Sequence, residues 1–167
     1  GDVGRLVLSA DFTLTLDSPQ AFMAADERDP VSLSYPWVIG NEQDGFRMWY
    51  GSTLTWNAGN GEMLHVLCAA SSMNGHHWSK EGVAIPYALG VAQAFSRPTV
   101  LRSGDGGYEM WFSYRSGAGE KYRIGYAHSA DGAAWHCDYE HAGITVSRDG
   151  WDSEMVEYPF VWAHEGE

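Results

Sequence analysis

Among 167 residues, 22 carboxylates outnumber 10 lysines and arginines, giving a net charge of −12, and only Lys80 and Lys121 are lysines. That field repels a phosphate backbone and no basic cluster offsets it, which excludes nucleic acid as a partner. Hydrophobic residues at 44% and aromatics at 14% describe a folded chain with enough length to bury one core. No apolar run approaches the roughly 20 residues of a membrane helix, and two cysteines, Cys68 and Cys137, are too few for a disulfide framework and show no metal-ligand spacing.

In chain order, Gly1-Asp2-Val3-Gly4-Arg5 shows no basic stretch leading into an apolar one. The expected location is therefore cytoplasmic, the alternative being an exported protein whose leader has been removed. Residues 19–27 support a short helical turn and no more, because apolar periodicity of 3.6 persists nowhere for long. Arg28-Asp29-Pro30 follows, and then an internal repeat begins.

One copy runs through Tyr35-Pro36-Trp37-Val38-Ile39, Gly45-Phe46-Arg47-Met48-Trp49-Tyr50, Leu64 to Ser71, and Ser72-Met73-Asn74-Gly75-His76-His77-Trp78. The next runs through Arg97-Pro98-Thr99-Val100-Leu101, Gly107-Tyr108-Glu109-Met110-Trp111-Phe112, Tyr122 to His128, and Ser129-Ala130-Asp131-Gly132-Ala133-Ala134-Trp135. Pro36 to Pro98 and Trp49 to Trp111 are both 62 positions, Trp78 to Trp135 is 57, and a third copy opens at Tyr158-Pro159-Phe160-Val161-Trp162, 61 positions after the second. Prolines, tryptophans and turns matched in one order are the mark of a tandem architecture.

Each copy reads as four antiparallel strands. A proline sits at the start of the first, where its missing N–H is tolerated; aromatic and β-branched residues fill the second and third. Asn74-Gly75 and Asp131-Gly132 suit the positive φ angles of type I′ turns between third and fourth strands. Trp78 and Trp135 are expected to pack one unit against the next. The fold class is all-β, and four-stranded units in tandem point to β-propeller blades packed around an axis. A single domain over 1–167 would hold blades at about 35–80 and 97–138, with a third beginning near 157. Two blades and part of a third do not close a ring, and at Glu165-Gly166-Glu167 the repeat predicts a turn into a further strand. Open blade edges are templates for pairing, so homo-oligomerisation is expected.

Those blade-start prolines, the Met-Trp-Tyr/Phe second strands, Tyr122-Arg123-Ile124-Gly125-Tyr126-Ala127, the turn ending at Trp135, and Gly150-Trp151-Asp152-Ser153-Glu154-Met155-Val156 resemble the five-bladed propeller glycosidases, the arabinanase, β-xylosidase and invertase superfamily. The resemblance covers roughly residues 30 to 167 and corresponds to about half of a complete member. It implies three carboxylates near the axis on innermost strands, commonly just ahead of a proline, because hydrolysis needs two carboxyl groups flanking the glycosidic bond in different protonation states. Glu157-Tyr158-Pro159 matches the superfamily's Glu-x-Pro general-acid motif, with Glu154 beside it. Asp152, or Asp29 of an Arg-Asp-Pro motif like that of invertases, would be the second carboxylate. Asp29 stands six residues before Tyr35-Pro36, out of register, and the in-register residues before the prolines are Tyr35, Arg97 and Tyr158, none a carboxylate.

Arg97 opens a first strand and should point toward the axis, either clamping a carboxylate or sugar hydroxyls or pairing with a neighbouring blade. Asp152 and Glu154 share one face of an extended segment and Glu157 takes the other. Trp37, Trp111, Tyr114 and Arg115, with Tyr35, offer a stacking platform with a polar edge, or else belong to the core.

Other chemistries find no motif. His65, His76, His77, His128, His136 and His141 contain no His-Glu-x-x-His pattern, so no metal is expected, and no cofactor. Gly104-Asp105-Gly106-Gly107 precedes a strand and reads as a hairpin turn, not a phosphate cradle. Two functions follow: a carbohydrate-active protein resembling propeller glycoside hydrolases, with or without turnover, or a non-catalytic carbohydrate-binding module that closes its propeller by oligomerisation.

Overall fold

A computed structural model describes residues 1–117 and 119–164; Glu165 to Glu167 lie outside the described residues. Strands β1 (Leu6–Leu8) and β2 (Leu14–Leu16) make a small hairpin. β3 (Ser32–Asn41), β4 (Gly45–Thr55), β5 (Leu64–Ser72) and β6 (Ser79–Val83) form one antiparallel meander. β7 (Ala94–Arg102), β8 (Tyr108–Arg115), β9 (Arg123–Ser129) and β10 (His136–Cys137) form a second. A parallel bridge between His65 and Ala94 joins them. The protein is therefore all-β apart from a 3-10 turn at Tyr139–His141, and among the described residues no helix is long and apolar enough to cross a membrane.

The period of two along each strand explains the packing. Met48 and Tyr50 on β4, with Val66, Cys68 and Ala70 on β5, face a core cluster shared with Val3 and Met23 of the N-terminal segment. The intervening Trp49, Leu67 and Ala69 face the opposite way, into a cluster with Phe95, Val100, Tyr108, Met110, Phe112 and Trp135 of the second meander. Burial on both faces is why β4 and β5 read as nearly continuous apolar runs. Residues 19–27 form no helix. Met23 instead pairs with Val3 in an antiparallel bridge and buries itself on the first meander; a stretch this short does not sustain a helix without tertiary support.

The tryptophans behave as the repeat requires. Trp135 meets Trp49 edge-on at 5.7 Å, binding the second meander to the first. Trp78 meets Phe22 at 6.1 Å, so the N-terminal segment occupies the side of the first meander that the first occupies on the second. Arg47 reaches across from β4 to donate to the carbonyls of Asp131 and Gly132 at 2.7 and 3.1 Å, and the Trp37 indole donates to the Val100 carbonyl at 2.8 Å.

The turns into β6 and β10 are one motif made twice. The Ser72 hydroxyl accepts from the amides of Asn74 and Gly75, and the Asn74 side chain accepts from His76 and His77. Ser129 and Asp131 do the same for residues 131–134. In both, the Trp indole closes onto the Gly carbonyl at 3.1 Å. These are not type I′ turns: Gly75 and Gly132 have positive φ, at 69° and 73°, but Asn74 and Asp131 do not. Their side chains cap the following amides instead, which holds them in ordinary backbone conformations. Gly104 to Gly107 is a hairpin turn between β7 and β8, closed by the Ser103 amide on the Gly107 carbonyl.

Candidate functional site

Three residues that precede prolines adopt a backbone conformation that side-chain-bearing residues rarely take. Tyr35, Arg97 and Tyr158 have φ of 50°, 47° and 61°, although a residue before proline ordinarily favours extended backbone. In β3 and β7 the reason is visible in the register, which jumps between Ser34 and Trp37 and between Ser96 and Thr99. Each strand bulges at its X-Pro pair, where proline forfeits no ladder bond, and the bulge re-aims the side chain before it. Tyr158 repeats this geometry without a partnered strand: residues 151–164 carry no strand among the described residues, contrary to the expected third set of strands. It is held from the second meander instead, its amide donating to Ser113 Oγ at 2.6 Å and the Pro159 carbonyl accepting from Thr99 Oγ1 at 2.9 Å.

The three bulges share one cavity of about 240 Å³, lined by Tyr35, Pro36 and Trp37, by Arg97, Pro98 and Thr99, and by Tyr158, Pro159 and Phe160. Drug-sized ligands occupy roughly 300–1,000 Å³, so this space suits a small group such as one sugar unit. The Arg97 guanidinium carbon stands 4.1 Å from the Tyr158 ring centroid and 5.3 Å from that of Tyr35. Both tyrosines and Arg97 are exposed at the mouth. Trp37 and Phe160 meet edge-to-face at 5.7 Å on the cavity wall.

Polar side chains lie behind this wall on both sides. Tyr35 stacks near His65 at 6.3 Å; the imidazole is within hydrogen-bond reach of Ser34 and Thr53 hydroxyls, and burial lowers its pKa to about 4, leaving it neutral. Glu62, almost fully buried, pairs with Arg115 at 2.9 Å, and Arg115 lies 4.9 Å from the Tyr122 ring. Burial raises the Tyr122 phenol, with Tyr158, Glu62 and Glu157 adding and Arg115 opposing. Burial also raises Tyr158, again with Glu157 adding and Arg97 opposing. Glu157 thus stands beside both phenols.

Tyr35, Arg97 and Trp37 line the cavity and Glu157 adjoins it; the other residues expected at the site are elsewhere. Asp29 is buried in the packing of the first meander, accepting from the Tyr50 hydroxyl at 2.9 Å and paired with Lys80 of β6 at 2.7 Å. Its likeness to an invertase motif ends there, since an ion-paired carboxylate off the cavity has no bond to flank. Asp152 accepts from Ser147, and Glu154 is exposed and paired with Lys121 at 3.3 Å. Tyr114 packs on the core beside Phe112 and Tyr139. Trp111 packs against Tyr126, ring centroids 5.1 Å apart and planes tilted by 56°, on the far face of the second meander. Arg115 serves Glu62. Tyr158 was in register with Tyr35 and Arg97 all along, and the repeat alone marks it. Glu62 and His65 have no comparable mark, since one comes from a loop and the other from within a strand. Among the described residues no group of three or more His, Cys, Asp or Glu side chains could hold a metal ion.

No family model matches the chain. Two uncharacterised proteins, from two strains of Mycobacterium tuberculosis, are each 49% identical to it over 148 residues, 87% of this chain. The chain spans about half the length of these curated relatives, 47% of each. Among solved structures, a family 117 glycoside hydrolase produced by the marine bacterium Zobellia galactanivorans matches 79% of this chain and 45% of its own, with a TM-score of 0.57 at 18% identity. A structure described with the GH130 family of mannoside phosphorylases, which contains glycoside hydrolases that target β-1,2 mannosidic linkages, matches 73% of this chain and 34% of its own, with a TM-score of 0.53 at 15% identity. A glycosyl hydrolase from Bacteroides ovatus gives the same coverages with a TM-score of 0.52 at 16% identity. At such identities the likeness is one of fold: over most of its length this chain folds like part of a glycoside hydrolase.

Proposed function

We propose that this chain is the sugar-recognising part of a propeller-type, glycosidase-like protein, and that its axial pocket is the cavity shared by Tyr35, Arg97 and Tyr158. One observation carries the reading: three successive units each hold a pre-proline residue in left-handed backbone and turn it toward the same space. Strain of this kind, about 1–3 kcal/mol per residue, persists where it serves a site. Two aromatic rings and a guanidinium suit a sugar, whose C–H faces stack on rings and whose hydroxyls take N–H donors.

Recognition without hydrolysis fits the side chains better than turnover does. Hydrolysis asks for two carboxyl groups about 5–10 Å apart across the bond. Among the described residues Glu157, next to the lining residue Tyr158, has no ion-pair partner, whereas Glu62 is bound to Arg115. If the chain does hydrolyse, Glu157 of the Glu-x-Pro motif is its general acid. We further propose that the ring is completed by a blade packed on the Trp111 face. Trp111 holds the place in the second meander that fully buried Trp49 holds in the first, yet is only partly covered.

A glycan array beside an aryl-glycoside activity screen, on wild type and Glu157→Gln, tests the function. Glycan binding that survives the substitution, with no turnover, is the expected result. Turnover abolished by Glu157→Gln would replace recognition by catalysis, and no binding to any glycan would refute the proposal. Sedimentation equilibrium on the same samples tests ring completion: a multimer means copies of this chain supply the missing blades, whereas a monomer assigns them to further residues of a longer chain.

A further inference from the structure

Resting on that reading, we infer that the sugar taken by the Tyr35–Arg97–Tyr158 cavity is an acidic one, carrying a carboxylate or a sulfate or phosphate ester, with Arg97 as the residue that selects it.

Arg97 is the charged side chain among the residues that line the cavity. Arg115 and Glu62 neutralise each other at 2.9 Å. Glu157 faces the Tyr158 and Tyr122 phenols, whose pKa values it helps raise. Arg97 has neither an ion-pair partner nor a hydrogen-bond acceptor among the described residues. Its contacts are the two tyrosine rings, which steady the cation without taking up an N–H donor. An arginine on so acidic a chain, yet with no carboxylate among the described residues bound to it, is placed by its backbone and not by one of those anions. The bulge at Arg97-Pro98 fixes its main chain at φ 47° and two rings fix its head group. That is pre-organisation: the five in-plane donors of guanidinium match a planar carboxylate or an ester's oxygens bidentately, and little side-chain freedom remains to be lost on binding. The same position in the unit before and in the copy after holds tyrosine, so the cation is a departure from the repeat at one position, on a residue that lines the shared space.

A neutral sugar would use the same rings but leave the guanidinium with hydroxyl acceptors only. An anionic group adds an opposite charge and a bidentate pair of parallel N–H···O bonds to what single hydroxyls offer, so matched acidic and neutral sugars should separate by about tenfold or more.

The test is calorimetric titration of the whole chain with matched pairs, methyl glucuronide against methyl glucoside and methyl galacturonide against methyl galactoside, with 6-sulfated and 6-phosphorylated galactose as further acidic probes. Wild type, Arg97→Gln and Arg97→Lys are compared, each checked for an unchanged thermal midpoint. The expected result is at least a tenfold preference for an acidic member, weakened by added salt, abolished in Arg97→Gln because acidic-sugar binding falls further than neutral-sugar binding, and partly restored in Arg97→Lys. Neutral and acidic members binding wild type equally would overturn this inference and leave sugar recognition standing. A preference that survives Arg97→Gln would move the selecting residue elsewhere and overturn it as well. Binding of none of these probes overturns this inference; binding of no glycan on the array overturns the reading beneath it.

Discussion

The backbone at Tyr35, Arg97 and Tyr158 holds conformations that an unconstrained chain abandons, while His65, beside Tyr35, stays neutral at mildly acidic pH where an imidazole in water takes up a proton. His65 is nearly fully buried and its pKa is lowered to about 4 from an ordinary 6.5 by burial. The folded state therefore resists protonation where the unfolded state accepts it. The stability this protects is complete above pH 6.5 and is lost as pH falls toward 4, on the order of 3 kcal/mol at about 1.4 kcal/mol per pH unit. Urea denaturation across pH 7 to 4 should show wild type losing that much more stability than His65→Gln; parallel curves would mean the imidazole is not excluded from solvent. At this scale the sequence was legible only where the repeat spoke. Arg97 and Tyr35 could be placed because a proline follows each at matched spacing. Asp29 carried a familiar motif, but local sequence cannot show that Lys80, 51 positions on, and Tyr50 close around it.

The repeated turn carries the packing at the scale of elements. Gly132 has φ 73°, and a Cβ there would stand 3.2 Å from the rings of Trp49 and Tyr108. Gly106, in the β7–β8 hairpin, has φ 91° and open space around it. Alanine at Gly106 should therefore cost about 1 kcal/mol of backbone strain, whereas at Gly132 overpacking against a buried tryptophan should bring the loss to about 2–4 kcal/mol. Denaturant midpoints of the two variants compare them directly, and equal losses would mean that the turn does not lock the meanders together. Strands and their order were readable because each copy repeats its aromatics, glycines and prolines in step. The turn type was not, because Asn-Gly and Asp-Gly suit both a two-residue hairpin and the side-chain-capped turn found here; the serines two and three positions upstream decide between them. The third first strand stands differently: Tyr158-Pro159 repeats the positive-φ geometry, but strand pairing needs a neighbour that the described residues do not provide.

For the molecule as a whole, burial is uneven in a way the repeat explains. The first meander has both faces covered; the second has its Trp111 face only partly covered, and the β1–β2 hairpin shows Leu6, Leu8, Leu14 and Leu16 all more than half exposed. A two-stranded hairpin with so much exposed apolar surface is marginal alone. Both surfaces are where the proposed ring-completing units would pack. The all-β class was fully legible in the sequence. The cavity was legible in its lining and not in what supports it, since His65 comes to stand beside Tyr35 only through folding. The central claim is that this shared cavity holds the sugar, and amide chemical-shift mapping of the isotope-labelled chain, titrated with the tightest glycan from the array, tests it most directly. The account predicts shifts concentrated at Tyr35, Arg97, Thr99 and Tyr158; shifts confined to the β5–β6 turn or the β1–β2 hairpin, with those four unmoved, would contradict it.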